Sequence, residues 1–494
     1  MKIEEIAARK NISMENAGDV VEEMKGCRYI PQPDIEHAVK ALDPKLHDIN
    51  NPILRPDKKV KIDVDDEDNG ESAQKVIEVD GETTNTRTEK VARNAVALQK
   101  LIIKRAVSFC FGNPVDWQST PANENQELVM KAFNKILKDA KVNSLNRKIA
   151  RAIFSYKEAA ELWFPVEVAE HTKYGFPCKY KLRCTILSPK NGDTLYPYFD
   201  ESGDMIAFSR SFSRKDSKGI IFNYFETYTD EEHWLWTTTA KGMEVVEGYP
   251  KPVVIGKIPV IFGHQDEFET EDVDSLIDRL EKLLSNFSDT NDYHASPKIF
   301  VKGELKGFSK KGEAGAIIEG EGDADAKYLA WQNAPESVKL EIETLLKLIY
   351  TISQTPDISF DSVKGLGAIS GIALKLLFMD AHLKVQDKKE IFDDYLPRRA
   401  NVIKAYIGKF NTKLEADADN LEIDPEITPY MLVDELNELN YWLTANGNKP
   451  VISQEESIEK VHLSKNPKVT MKKINEESAR DNSFVIGEPQ LDEE

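Results

Sequence analysis

From Asp272 to Phe410 apolar positions recur at helical spacing, broken twice by polar segments that carry glycine. Leu276, Leu280, Leu283 and Phe287 step by three and four, which puts them on one face of a helix. After Pro335-Glu336, a favourable helix start, Leu345, Leu348 and Ile352 repeat the pattern. Between the two lie residues rich in Gly, Lys and Glu with short apolar runs. Helices of roughly twenty residues would each reach about 30 Å at 1.5 Å per residue. The pattern predicts a stalk that carries a small module outward and returns. Such a shape suits contact with a partner better than catalysis.

Past the second helix the period is lost. Pro356, Asp357, Asp361, Lys364, Gly365 and Gly367 mark residues 355–370 as a loop. Ser370-Gly371 then opens a helix to Phe410, about 60 Å long if unbroken. Pro397 predicts a kink near Leu396, and Arg398 and Arg399 read as ion pairing on a solvated face.

Upstream, the first fifty residues mix short helical patterns with Pro31, Pro33 and Pro44 and predict an irregular arm. The runs Val60–Val64 and Val76–Val79 predict a β-hairpin with an acidic tip. That tip, residues 65–70, imitates a calcium loop, but the required glutamate falls at Val76, so a solvated turn is the better reading. Val91, Ala95, Leu98, Ile102, Ala106 and Phe109 predict a helix closed by Phe111-Gly112-Asn113-Pro114, with Gly112 in a left-handed cap. Helices follow over about residues 126–138 and 144–156, the latter capped by Ser144. Extended runs over 161–168, 180–187, 206–212, 220–228, 233–237 and 258–262 predict a mostly antiparallel sheet. Toward the C-terminus, Met431, Leu432, Leu436, Leu439 and Leu443 predict a helix, and Ser453-Gln454-Glu455-Glu456 a capping box. From Asn475 the tail is acidic, poor in apolar residues and expected to be disordered. The fold class is α+β, multidomain and helix-rich.

Composition narrows the function. A formal charge of −20, from 85 acidic and 65 basic residues, disfavours a protein that grips DNA by its phosphates. It does not exclude one past which DNA slides. No apolar run is long enough to span a bilayer, so no membrane role is expected. Cys27, Cys110, Cys178 and Cys184 are too few for a disulfide framework and read as reduced thiols. The eight histidines stand singly, no phosphate-cradling glycine loop occurs, and no cofactor or metal is expected. Asp289 and Asp292, three apart on one helix face, are the nearest approach to a catalytic carboxylate pair, and no third ligand accompanies them. No enzyme activity is expected.

The order of parts resembles the portal proteins of long-tailed bacteriophages, the head-to-tail connectors. Val91-Ala92-Arg93-Asn94 through Ser108-Phe109-Cys110-Phe111-Gly112-Asn113-Pro114-Val115 is similar to that family's first wing helix. Ser155-Tyr156-Lys157-Glu158-Ala159-Ala160 resembles the element leading into the wing strands, with a lysine where the family often has glycine. Gly256-Lys257-Ile258-Pro259-Val260 resembles the approach to the stem. Gln354-Thr355-Pro356-Asp357-Ile358-Ser359 with Ser370-Gly371-Ile372-Ala373-Leu374-Lys375 resembles its most recognisable stretch. Ile452-Ser453-Gln454-Glu455-Glu456-Ser457-Ile458 is similar to a C-terminal helix in which threonine is usual at Ser457.

The likeness covers roughly residues 50–480 and implies a ring of twelve subunits at one capsid vertex. It implies an N-terminal arm (1–49), a wing (50–256), a descending stem helix (257–292) and a clip (293–333). An ascending stem helix (334–354), a tunnel loop (355–370), a long kinked wing helix (371–411), a crown (412–474) and the acidic tail (475–494) would follow. The tunnel loop would present Pro356, Asp357, Asp361, Lys364, Gly365, Gly367 and Ser370 to DNA. The clip would present Lys306, Lys310 and Lys311 to the packaging motor and the tail adaptor. Implied partners are further copies of the chain, the terminase large subunit, the head-tail adaptor, the major capsid and scaffolding proteins, and double-stranded DNA passing without sequence preference. Another self-assembling tail or baseplate protein, or a metal-dependent packaging nuclease, are the alternatives.

Overall fold

A computed structural model describes residues 2–9, 12–61, 76–79, 82–294, 299–302, 325–328, 334–357, 376, 378–430, 435–447, 451–460 and 467–483. The chain divides into two compact units, residues 1–357 with 380–430, and residues 358–379 with 431–494.

In the first unit the expected irregular arm is helical. Helices α1 (Ile3–Arg9), α2 (Ala17–Gly26) and α3 (Ile35–Leu42) fill it. Asn16 and Asp34 accept the N–H groups of Gly18 and His37 and so cap α2 and α3. Ile3, Ile6, Val20, Val21 and Met24 then share one buried cluster with Ala207, Phe225 and Trp236. These positions give α1 and α2 one apolar face each, and the sheet is where both faces bury.

The predicted hairpin is also different in detail. Strands β1 (Lys58–Lys61) and β2 (Val76–Val79) do not pair with each other; β3 (Glu82–Glu89) lies between them and pairs antiparallel with both. β3 is threonine-rich, so it has β-branched propensity without the apolar alternation that would have betrayed it. The calcium-like turn lies outside the described residues. Helix α4 (Leu98–Phe111) begins later than Val91, because residues 90–97 lie outside any helix or strand. Gly112 is right-handed, at φ −67°. It is needed for close approach instead: a Cβ there would sit 2.5 Å from the Ser108 carbonyl oxygen and 2.7 Å from the Tyr430 side chain.

Strand β4 (Asp116–Gln118), α5 (Glu124–Asp139) and α6 (Val142–Tyr156) follow. Ser144 does not cap α6; its N–H already donates to Lys141 O within the first turn. Lys157 ends α6 at φ +66°, a conformation that glycine adopts at far lower cost.

Two antiparallel sheets come next. One holds β5 (Glu158–His171) and β6 (Cys178–Leu187); the other holds β7 (Thr194–Phe199), β8 (Met205–Lys215), β9 (Ile221–Tyr228), β10 (Glu232–Thr239) and β11 (Gly242–Val245), with β12 (Lys251–Pro252) beside β10. β13 (Val260–His264) joins the first, giving the order β13-β5-β6. The hydrophobic pattern does not predict β7, which carries Pro197 and stands at the sheet edge where no ladder N–H is missed. Ala160, Leu162, Leu187, Phe208, Tyr228 and Phe262 form the cluster joining the sheets.

The chain then enters α7 (Glu271–His294), crosses β14 (Ile299–Lys302) and β15 (Asp325–Tyr328), which pair with each other, and returns in α8 (Ala334–Ile352). Helix α9 (Met379–Phe410) runs unbroken through Pro397. It lies on the β13-β5-β6 sheet: Tyr406 donates to the Trp163 carbonyl at 3.0 Å, and a Cβ on Gly263 would meet the Tyr395 ring at 2.9 Å. Arg399 is consequently buried at 1% exposure, not solvated, and is paired with Glu161. α10 (Glu415–Asn420) and β16 (Asp424–Glu426), which pairs back with β4, close this unit.

The second unit contains α11 (Glu435–Ala445), α12 (Gln454–Lys460) and α13 (Pro467–Ser483). The capping box forms: Glu456 N–H donates to Ser453 Oγ and Ser453 N–H to Glu456 Oε2, both at 3.1 Å. α13 continues past Asn475, where disorder is expected, with Lys472 and Glu476 one turn apart. Met431 and Leu432 lie outside the described residues.

Candidate functional site

The candidate site is the stalk and the root of the 355–370 loop. α7 and α8 pack through Val273, Ile277, Leu280, Leu283, Leu345 and Ile349, joined by Ile102 of α4. Burying one such side chain contributes about 2 kcal/mol. The face of α8 differs from the one predicted. Leu345 is buried with Ile349, while Leu348 is 42% and Ile352 45% exposed, and Leu340 is 66% exposed. These three leave an apolar strip along the outside of α8.

The irregular segment before α4 is hung on α7, alternate residues of it meeting every fourth residue of the helix. Ala92 N–H donates to Asp289 Oδ1 at 2.7 Å, Asn94 N–H to Ser285 Oγ at 2.8 Å, and Val96 N–H to Glu281 Oε1 at 2.8 Å. Asn94 Nδ2 adds a bond to Ser288 Oγ at 2.7 Å, and Arg55 reaches Asn286 at 2.8 Å and Asp289 at 2.7 Å. Asp289 thus accepts from Ala92 on one oxygen and from Arg55 on the other. Glu281 also holds His47, whose Nδ1 lies 2.6 Å from Glu281 Oε1 and whose Nε2 lies 3.1 Å from the Ala41 carbonyl. Burial opposes charge on that ring, but two acceptors on its two nitrogens raise its pKa above the usual value.

The loop root is fastened on three sides. α8 ends in a Schellman motif: Thr355 N–H donates to Tyr350 O at 2.9 Å and Gln354 N–H to Thr351 O at 3.1 Å. Gln354 occupies the left-handed position of that motif at φ +48°, where glycine is usual. Lys384 of α9 donates to the Ser353 carbonyl at 2.7 Å and pairs with Glu269 at 2.5 Å; Lys388 pairs with the same carboxylate at 2.8 Å. Arg105 of α4 donates to the Pro356 carbonyl at 2.8 Å and lies over the Tyr350 ring. Thr355 is buried. The chain therefore leaves α8 from a fixed point set by cations of α4 and α9. Proline and glycine marked the loop in the sequence, but nothing local marked Arg105 or Lys384 as its anchors.

Of the residues expected to face DNA, Pro356 and Asp357 are described, and Pro356 is held by Arg105. Asp361, Lys364, Gly365, Gly367 and Ser370 lie outside the described residues, as do Lys306, Lys310 and Lys311 of the expected clip.

Residues 47–483 match the family of phage portal proteins, SPP1 Gp6-like. No match is found among curated proteins. Among solved structures, the neck of an empty gene transfer agent particle with C6 symmetry is 10% identical, covering 74% of this chain and 90% of that chain with a TM-score of 0.40. The neck of the native particle with C12 symmetry is 11% identical, covering 74% and 88% with a TM-score of 0.36. The virion of the native gene transfer agent particle is 10% identical, covering 74% and 88% with a TM-score of 0.35. At these scores the structural likenesses add nothing to the family assignment, which rests on the sequence match.

Proposed function

Since this chain belongs to the phage portal proteins, SPP1 Gp6-like, we propose that its copies close head-to-tail into a ring, twelve in the virion, at one capsid vertex. Duplex DNA passes the axis during packaging and ejection. Residues 50–256 act as the wing, 257–292 and 334–354 as the stem helices, and 293–333 as the clip. Residues 355–370 form the tunnel loop that borders the opening; 371–411 are the long wing helix and 412–474 the crown. The clip meets the terminase large subunit and later the head-tail adaptor, and the ring also contacts the major capsid and scaffolding proteins. The protein acts structurally, in the virion, after assembly in the host cytoplasm.

The observation that carries this reading is the stalk itself. α7 and α8 bury one face against each other and α4, and the outer strip of Leu340, Leu348 and Ile352 is left uncovered in the single chain. A neighbouring copy is what a ring supplies to such a strip. The formal charge of −20 per copy fits a channel that repels a polyanion and lets it slide. Negative-stain microscopy of the purified chain tests the proposal: closed rings of about a dozen subunits with an axial hole support it. Particles that remain single, or open filaments, overturn it.

A further inference from the structure

A cleft of about 540 Å³ lies between α4, α6 and the Ser188–Asn191 turn. Lys100, Lys104, Lys148, Arg151 and Lys190 line it, and among the described residues no acidic one does. That runs against a chain with 85 acidic and 65 basic residues. All five cations are exposed, and among the described residues none forms an ion pair. Lys100 and Lys104 stand one turn apart on α4, and Lys148 and Arg151 nearly one turn apart on α6, so each pair shares a helix face. Ile103 and Ala152 floor the cleft, with the hydroxyls of Ser155 and Tyr156 beside them. Neither hydroxyl has a hydrogen-bond partner among the described residues.

Like charges gathered around one cleft repel one another even in water. Five of them, with no counter-charge among the described residues, are a standing cost that a polyanion relieves. We infer that this cleft binds the phosphate backbone of duplex DNA. Lysine, arginine, serine and tyrosine side chains are the groups that contact phosphate oxygens without reading sequence. The cations come from two helices and a turn, so the charge is spread for a repeating anion rather than focused on one carboxylate. The inference rests on the portal reading only in that the ring brings DNA to the chain. The cleft would give an otherwise repulsive protein one place where packaged or passing DNA is held, reversibly and with strong salt dependence.

The test is fluorescence anisotropy with labelled duplexes of two unrelated sequences, between about 50 and 200 mM salt. The full-length chain is compared with Lys100→Gln/Lys104→Gln/Lys148→Gln/Arg151→Gln. A charge-matched control, Lys173→Gln/Lys179→Gln/Lys181→Gln/Lys241→Gln, changes residues that do not line the cleft. The wild type and the control should bind both duplexes equally, with affinity falling steeply as salt rises. The cleft variant should lose about tenfold or more at low salt, and its logarithmic salt slope should shrink by about 3–4, near 0.9 for each phosphate contact removed. Equal binding by the cleft variant and the wild type overturns the inference, as does no binding by the wild type. A polyglutamate of matched charge that binds the wild type more tightly than the duplex overturns it in favour of an acidic protein segment. Rings seen for every variant show that such a failure belongs to the cleft alone; absent rings count against the portal reading.

Discussion

Arg399 donates two parallel hydrogen bonds to Glu161, at 2.6 Å and 3.0 Å, across the interface between α9 and strand β5. A third, at 2.5 Å, reaches Asn146 Oδ1 on α6, so one guanidinium ties three elements together. Such a pair returns little net stability over an apolar substitute, but breaking it strands a buried charge. Arg399→Ala should therefore destabilise the protein by about 3–5 kcal/mol, read as a fall in thermal midpoint. Arg399→Met with Glu161→Leu should recover most of that loss. A single variant that melts with the wild type would show the pair to be dispensable.

Among the described residues three non-glycines sit in left-handed backbone, Lys141 at φ +53° before α6, Lys157 at φ +66° after it and Gln354 at φ +48° after α8. The left-handed conformation costs a side-chain-bearing residue about 1–2 kcal/mol. Lys157→Gly and Gln354→Gly should each raise the thermal midpoint, with a gain of about 1 kcal/mol remaining after glycine's extra unfolded-state entropy. Alanine at either position should give no gain.

His47 makes part of the stability pH-dependent. Its folded-state pKa is raised, against burial, by Glu281 and the Ala41 carbonyl. Its stabilising contribution is thus fully present below the ordinary histidine value of 6.5 and is lost as pH rises through the raised value. The gap in thermal midpoint between wild type and His47→Gln should be widest near about pH 6 and shrink by about pH 9. A gap that widens with pH would reverse the assignment.

Leu340, Leu348 and Ile352 test the ring interface. Because all three are exposed in the chain, Leu340→Asp with Leu348→Asp should leave the melting of the isolated subunit within about 0.5 kcal/mol of wild type. Ring formation in size-exclusion chromatography and microscopy should be lost. Intact rings would place the neighbour on another face.

Gly365→Pro together with Gly367→Pro tests the loop. Rings should still form, whereas DNA packaging or retention should fall, since the stiffened backbone cannot follow the moving duplex. Normal packaging and retention by this variant would remove residues 355–370 from the channel.

The sequence on its own determined the elements whose signals are local. Residues spaced by three and four placed α7, the Ser453–Glu456 capping box placed α12, and proline with glycine marked the loop after α8. It also determined the order of parts by which the family is recognisable. What it could not determine was the partner of each face. Periodicity says that one side of α8 is buried, but only packing against α7 and α4 chose Leu345 with Ile349 over Leu348 and Ile352. The same holds for Arg399, which lies 238 positions from Glu161 and reads as a surface charge until the fold lays α9 on β5. Arg105 and Lys384 likewise become anchors of the loop only when α4 and α9 converge on the end of α8. Spacing is a property of a few consecutive residues, whereas these contacts join segments from 31 to 251 residues apart. Topology brings such segments together, and the desolvation of buried charges then decides which ones must pair.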